Sequence, residues 1–139
     1  MTKHIWITSQ DRQRLMHCIE ALREFPDTRD LPHIMELERE INQAEVICDP
    51  REVPRDAITM RSRVRLRDSN ADEALECTLV YPSESDAEEA RVSILAPLGT
   101  GMLGYRVGDV FEVTRPKGMA RYKVEAVLYQ PEASGDFHL

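Results

Sequence analysis

The apolar residues of this chain change their spacing once along the sequence. Over residues 10–48 they recur at intervals of three and four, as on one face of an amphipathic helix, whereas over residues 59–129 they alternate with polar residues, as in a half-buried strand. The segment between these regions contains Pro50 and Pro54, which neither continue a helix nor pair well within a sheet. The sequence therefore predicts an α+β protein with a helical unit over residues 1–50 and a sheet domain over residues 51–139.

The helical unit is predicted to be a short hairpin. Alternation at Ile5 and Ile7 indicates a short strand, and the capping-box sequence Thr8-Ser9-Gln10-Asp11 then begins a helix that ends near Glu24. A second helix follows Asp30, and its apolar positions are those of a two-helix coiled coil: Ile34, Leu37, Ile41, Ala44 and Cys48. Because the loop between the helices is short, we expect an antiparallel pair whose longer helix is only about 25 Å long.

The sheet domain is predicted to be curved, antiparallel and interrupted by one short helix. Strands are expected over residues 59–67, 75–81 and 91–95, followed by a hairpin of residues 110–114 and 120–129. A helix is expected over residues 97–103, with Gly104 just past its end.

A row of four arginines marks one face of the first predicted strand: Arg61, Arg63, Arg65 and Arg67. The row could meet an acidic partner or nucleic acid, but we favour a solvated face beside acids such as Glu73 and Glu76. The formal net charge of −7 and the lack of interleaved aromatic residues argue against nucleic-acid binding, so we expect no sequence-specific contact with DNA or RNA.

Residues that could form a catalytic or metal site are scattered. The three cysteines and four histidines lie far apart, so neither a disulfide framework nor a metal site is predicted. No nucleophile lies near an identifiable base, and we expect neither a cofactor nor an enzymatic activity. No apolar stretch is long enough to span a membrane, and the N-terminus does not resemble a secretion signal, so we expect a cytoplasmic protein.

Residues 59–130 contain short motifs in an order that resembles the C-terminal domain of the Gre transcript-cleavage factors. The motifs are Ser62-x-Val64, Tyr81-Pro82, Val92-Ser93-Ile94, Ala96-Pro97-Leu98-Gly99, Met102-Leu103-Gly104, Val107-Gly108-Asp109, Pro116-Lys117-Gly118 and Tyr122-x-Val124. Nearly the whole chain also resembles the Rnk family, described as regulators of nucleoside diphosphate kinase. That likeness rests on Ser62-Arg63-Val64, Thr78-Leu79-Val80-Tyr81-Pro82, Leu103-Gly104-x-Arg106-Val107-Gly108-Asp109 and Tyr129-Gln130-Pro131-Glu132-Ala133-x-Gly135-Asp136.

The resemblance implies an FKBP-like C-terminal domain behind an antiparallel coiled coil, and docking on RNA polymerase near its secondary channel. The segment that matches the Gre docking region contains Leu95, Ala96, Pro97, Leu98 and Leu103. An Asp-Ser pair is common in Gre factors where this chain has Leu95 and Ala96. In Gre factors acidic residues at the hairpin tip hold a magnesium ion for cleavage, and Asp27 and Asp30 are the tip acids here.

We expect a polymerase-binding regulator that competes with Gre-type factors without stimulating cleavage, because a short hairpin cannot bring its tip to the same depth. A monomer is expected. Two alternatives remain: a module that binds nucleoside diphosphate kinase directly, and an FKBP-like prolyl isomerase.

Overall fold

The computed structural model describes residues 6–24, 31–47, 49–115 and 118–136. The N-terminal part contains strand β1 (Trp6–Thr8), helix α1 (Ser9–Glu24), helix α2 (Leu31–Gln43) and strand β2 (Glu45–Ile47). The predicted capping box is present in part, since the Asp11 backbone N–H donates to Thr8 Oγ1 at 3.0 Å and caps the first turn of α1.

The end of the second helix was predicted wrongly. The coiled-coil pattern extended α2 through Ala44 to Cys48, but α2 ends at Gln43, and Cys48 lies outside the described residues. The chain instead forms β2, which pairs in parallel with β1. Val46 and Ile47 are β-branched and favour a strand once a partner strand is available.

The C-terminal part is a five-stranded sheet with two short helices. Its elements are β3 (Arg63–Asp68), β4 (Glu73–Val80), β5 (Arg91–Ser93), α3 (Pro97–Met102), β6 (Val110–Arg115), β7 (Gly118–Tyr129) and α4 (Pro131–Ser134). The strand order is β5-β4-β3-β7-β6, in which β4 and β5 are parallel and the other neighbours are antiparallel. The α+β prediction of two helices followed by an antiparallel sheet domain is confirmed, except that β5 pairs in parallel with β4.

The first strand of this sheet begins later than predicted, at Arg63 and not at Thr59. Residues 59–62 form a turn in which the Ser62 N–H donates to the Thr59 carbonyl at 3.1 Å, and Arg61 adopts a positive φ of 65°. Arg61 therefore leaves the arginine row. Its guanidinium lies 5.2 Å from the centre of the Tyr81 ring and pairs with Glu84 at 3.1 Å.

One hydrophobic core joins the two parts of the chain. The buried side chains of the N-terminal part pack in the same cluster as those of the sheet: Ile7, Leu15, Ile19, Ile34, Leu37 and Ile41 with Ile58, Val64, Leu66, Leu79 and Val124. The linker is also held, since Gln130 Nε2 donates to the Pro54 carbonyl at 2.8 Å and to the Ala57 carbonyl at 2.6 Å. The helices are therefore packed against the sheet domain. Within the described ranges, no helix is both long enough and apolar enough to cross a membrane.

Candidate partner-docking site

The segment that matches the Gre docking region runs from the turn after β5 through α3. Pro97 occupies the first turn of α3, where its missing N–H costs no hydrogen bond, and Ala96 before it is extended. The Ala96 N–H donates to the Ser93 carbonyl at 3.0 Å, and Thr100 Oγ1 donates to the Ile94 carbonyl at 2.5 Å. Two hydrogen bonds therefore fix the start of α3 to the strand that precedes it.

Glycine allows α3 to lie directly on the sheet backbone. A Cβ atom at Gly99 would be 2.1 Å from the Ser93 carbonyl oxygen, whereas a Cβ atom at Gly101 would first meet a Val113 side-chain carbon at 3.3 Å. The first distance is far inside van der Waals contact, so the close approach requires Gly99 to be glycine.

The predicted docking residues differ in exposure. Pro97 is exposed, while Leu95, Ala96 and Leu98 are partly buried at the edge of the core. Leu103 is 1% exposed and belongs to the core. A partner can therefore contact Leu95, Ala96, Pro97 and Leu98, and we name these four residues the α3 surface. Leu103 is not part of that surface, because its side chain packs in the core.

The hairpin packs against the same element. Helix α2 contacts α3, and its buried Leu37 and Ile41 share the core with Met102 at the end of α3. Tyr105, just after α3, stacks on Phe111 with ring centres 5.2 Å apart. Burial raises the pKa of Tyr105, and the nearby carboxylates of Glu40 and Asp109 raise it further. The carboxylates of Glu40 and Asp109 therefore lie near the Tyr105 ring just after α3.

The predicted tip acids Asp27 and Asp30 lie outside the described residues. On the helices that flank them, Arg23 of α1 pairs with Glu38 of α2 at 2.7 Å.

Two arginines of the row form contacts with acidic residues of the sheet domain. Arg63 lies 3.6 Å from Glu76, one of the acids expected beside it. Arg67 pairs with Glu125 at 3.0 Å and with Asp72 at 3.5 Å. These contacts support the interpretation of the row as a solvated strand face.

A groove of about 730 Å³ lies between α1 and the turn that follows β4. Cys18, Ala21 and Leu22 line one wall, and Tyr81 and Pro82 line the other. Tyr81 is the single aromatic residue among the residues lining this groove, while Tyr105, Phe111 and Tyr122 stack on one another elsewhere. The groove therefore lacks the aromatic lining that the prolyl-isomerase alternative calls for.

The sequence did not predict a buried polar cluster at the junction between α1 and the C-terminal domain. Thr59 Oγ1 donates to Glu132 Oε2 at 2.8 Å, and Ser62 Oγ lies 2.9 Å from the same hydroxyl. Asp11 is 2% exposed, and burial raises its pKa to about 7, with the Glu132 charge as the second cause. The sequence feature that could have indicated this cluster is the Gln130-Pro131-Glu132 motif, because its residues hydrogen-bond to the linker and to the turn before β3.

Metal chemistry has no clear site in the part of the chain that the structure describes. No group of three or more histidine, cysteine, aspartate or glutamate side chains is placed to bind an ion there. Cys18 and Cys77 are both free, and burial raises the pKa of the Cys77 thiol to about 11, so this thiol is unreactive at neutral pH.

Comparison with known proteins gives matches to both parts of the chain. The family described as "Transcription elongation factor, GreA/GreB, C-term" matches residues 53–129, and the family described as "Rnk N-terminus" matches residues 3–47. The regulator of nucleoside diphosphate kinase of Escherichia coli is 39% identical over 122 residues, which cover 87% of this chain and 89% of that protein.

Transcription elongation factors are also similar. GreA of Chloroherpeton thalassium is 37% identical over 91 residues, which cover 66% of this chain and 57% of that GreA. A solved GreA/GreB elongation factor from Nitrosomonas europaea superposes with a TM-score of 0.73 at 37% identity, over 92% of this chain and 100% of that one. These relatives carry the names of regulators and transcription factors, and none of these names is that of an enzyme. The chain therefore belongs to the Rnk family of transcription elongation factor-like regulators, in which an Rnk N-terminus precedes a C-terminal domain of the GreA/GreB type.

Proposed function

We propose that this protein regulates transcription by binding RNA polymerase through the α3 surface, at the secondary-channel rim used by Gre-type factors. The observation that carries the proposal is that α3, within a GreA/GreB-type domain, presents exposed Pro97 beside partly buried Leu95 and Leu98. A small apolar surface on a firmly held element can bind a partner with little loss of conformational entropy.

The proposal excludes stimulation of transcript cleavage. Helices α1 and α2 contain 16 and 13 residues, which correspond to lengths of about 24 Å and 20 Å. Part of that length is packed against the sheet through Leu15, Leu37 and Ile41, so the free reach of the hairpin is shorter still. Catalysis by a bound metal ion needs ligands placed within a fraction of an ångström. Occupancy of the channel entrance and competition with other factors are therefore the proposed activity.

The direct test is binding of the fluorescently labelled protein to core RNA polymerase in competition with GreA. Unlabelled GreA is expected to displace the protein completely. Simultaneous binding of both factors would place this protein at another surface, and no binding at micromolar concentrations would refute the proposal.

Two variants and a matched control locate the contact. Pro97→Glu and Leu98→Glu place a charge in the α3 surface and are expected to weaken polymerase binding by tenfold or more. A tenfold loss of affinity corresponds to about 1.4 kcal/mol of binding free energy. Met119→Glu makes the same kind of change at a residue that is 53% exposed near the β6–β7 turn, and should leave the affinity within about twofold. Equal loss in all three variants would mean that α3 is not the contact.

A second candidate is a direct complex with nucleoside diphosphate kinase, and it is favoured by the name of the E. coli relative. Co-purification with the kinase in the absence of polymerase would support it. The same experiment with polymerase alone separates the two candidates, because they differ in the partner that is retained.

A further inference from the structure

Two buried carboxyl groups from distant parts of the chain meet where the base of α1 rests on the C-terminal domain. Asp11 lies in the first turn of α1 and is 2% exposed, while Glu132 lies in α4 and is 9% exposed. The residues that bind them are adjacent in sequence: Thr59 donates its hydroxyl hydrogen bond to Glu132, and the backbone of Met60 hydrogen-bonds to Asp11. Adjacent residues of one turn therefore hold both carboxyl groups.

The two carboxyl groups have unequal hydrogen-bond partners. Burial raises the pKa of Glu132, but its Oε2 accepts from Thr59 Oγ1 at 2.8 Å, which opposes that rise by stabilising the charged form. Asp11 Oδ2 is buried and has no hydrogen-bond partner among the described residues. A buried carboxylate oxygen without a partner is costly, and a neighbouring negative charge adds to the cost. A proton at this junction therefore belongs on Asp11.

The charged groups around the pair do not change the preference for a proton on Asp11 over Glu132. From α1, Arg14 lies near Asp11 and favours its charged form, but burial and the Glu132 charge outweigh that effect and raise the pKa of Asp11 to about 7. Tyr81, just after β4, also faces this cluster; burial raises its pKa, and the Asp11 charge raises it further. Thr8 and Met60 complete the surroundings as hydrogen-bond partners.

We propose that Asp11 and Glu132 form a pH-sensitive latch, which holds the base of α1 on the C-terminal domain while Asp11 carries a proton and weakens when that proton is lost. The direction in which pH changes the stability of the closed state follows from proton linkage. An acid whose pKa is higher in the closed state holds its proton there, so the closed state loses stability as the pH rises from about 4 to about 7 and then levels off. This inference does not depend on the polymerase proposal.

The first measurement is a carbon-13 NMR titration of the side-chain carboxyl groups in the intact protein. Asp11 is expected to titrate near neutral pH and Glu132 at a lower pH. Titration of Asp11 near pH 4 would refute the latch, and this readout needs no variant.

The second measurement is native-state hydrogen exchange at pH 5.5 and pH 8. After division by the chemical exchange rate at each pH, the protection factor of the Leu15 amide in α1 reports opening of the latch. With the closed-state pKa near 7, this protection factor should fall by up to about thirtyfold between pH 5.5 and pH 8 in the wild type.

Asp11→Asn keeps the shape of the side chain and removes its charge, so this fall in the protection of the Leu15 amide should be lost. Asp72→Asn is the matched control at a side chain that is 91% exposed, and it should behave like the wild type. If Asp11→Asn does not fold, Glu132→Gln removes the repelling charge, and the pH-dependent fall should then become smaller. A fall of wild-type size in Asp11→Asn or in Glu132→Gln, or none in the wild type, would overturn the proposal.

Discussion

Gly99 is the residue at which the position of α3 is most sensitive to substitution. The carbonyl of Ser93 occupies the space of a side chain there, and this carbonyl already accepts the Ala96 N–H. The clash involves backbone, so neither partner can move without shifting the end of β5 or the start of α3.

Gly99→Ala is therefore expected to lower the free energy of unfolding by about 1–3 kcal/mol, as overpacking does in well-packed cores. Gly101→Ala is the matched control in the same helix: the new methyl group would meet a flexible Val113 side chain, and alanine is the better helix former. Urea denaturation of both variants measures the difference. A loss at Gly101 equal to that at Gly99 would show that the Ser93 contact is not the cause.

At the scale of elements, the central feature is the shared core between the hairpin and the sheet. Leu37 of α2 is fully buried and packs in the same cluster as Val124 of β7, whereas Met35 on the same helix is 63% exposed. A hairpin that stood free of the sheet could unfold without affecting it. The shared core excludes that independence.

Leu37→Asp is therefore expected to destabilise both parts by several kcal/mol, because it buries an unpaired charge in their common core. The methyl resonances of Val124 should shift or broaden together with the loss of helical circular dichroism. Met35→Asp should change neither. Native-like Val124 signals in a Leu37→Asp variant that has lost its helices would mean that the sheet folds without the hairpin.

An element of this fold could be predicted from the sequence when the interactions that form it join residues close together in the chain. Helix α1, the main strands and α3 were predictable because their apolar spacing and terminal residues are local. Strand β2 was not, because it has three residues and forms by pairing with β1, far back in the chain. Asp11 was predictable as a cap residue but not as a buried acid, because its burial depends on α4 and the turn at residues 59–62.

At the scale of the whole molecule, the fixed relation between hairpin and α3 predicts how the protein acts on transcription. A factor that occupies the channel entrance without reaching the active site should block GreA and supply no cleavage of its own. In a stalled elongation complex, increasing amounts of this protein should suppress GreA-stimulated cleavage, and the protein alone should leave the transcript intact. Gel analysis of the RNA measures both effects. Robust cleavage by the protein alone that is lost in Asp27→Ala would contradict this prediction.

The contacts of Gln130 with the linker have a consequence for how the chain is made. They join residues that are 76 and 73 positions apart, and Thr59 and Glu132 are 73 positions apart. During synthesis the N-terminal helices leave the ribosome long before Gln130 and Glu132 exist. The apolar faces of α1 and α2 therefore stay uncovered until the sheet and α4 have left the ribosome. In that interval the nascent helices most need protection by a chaperone.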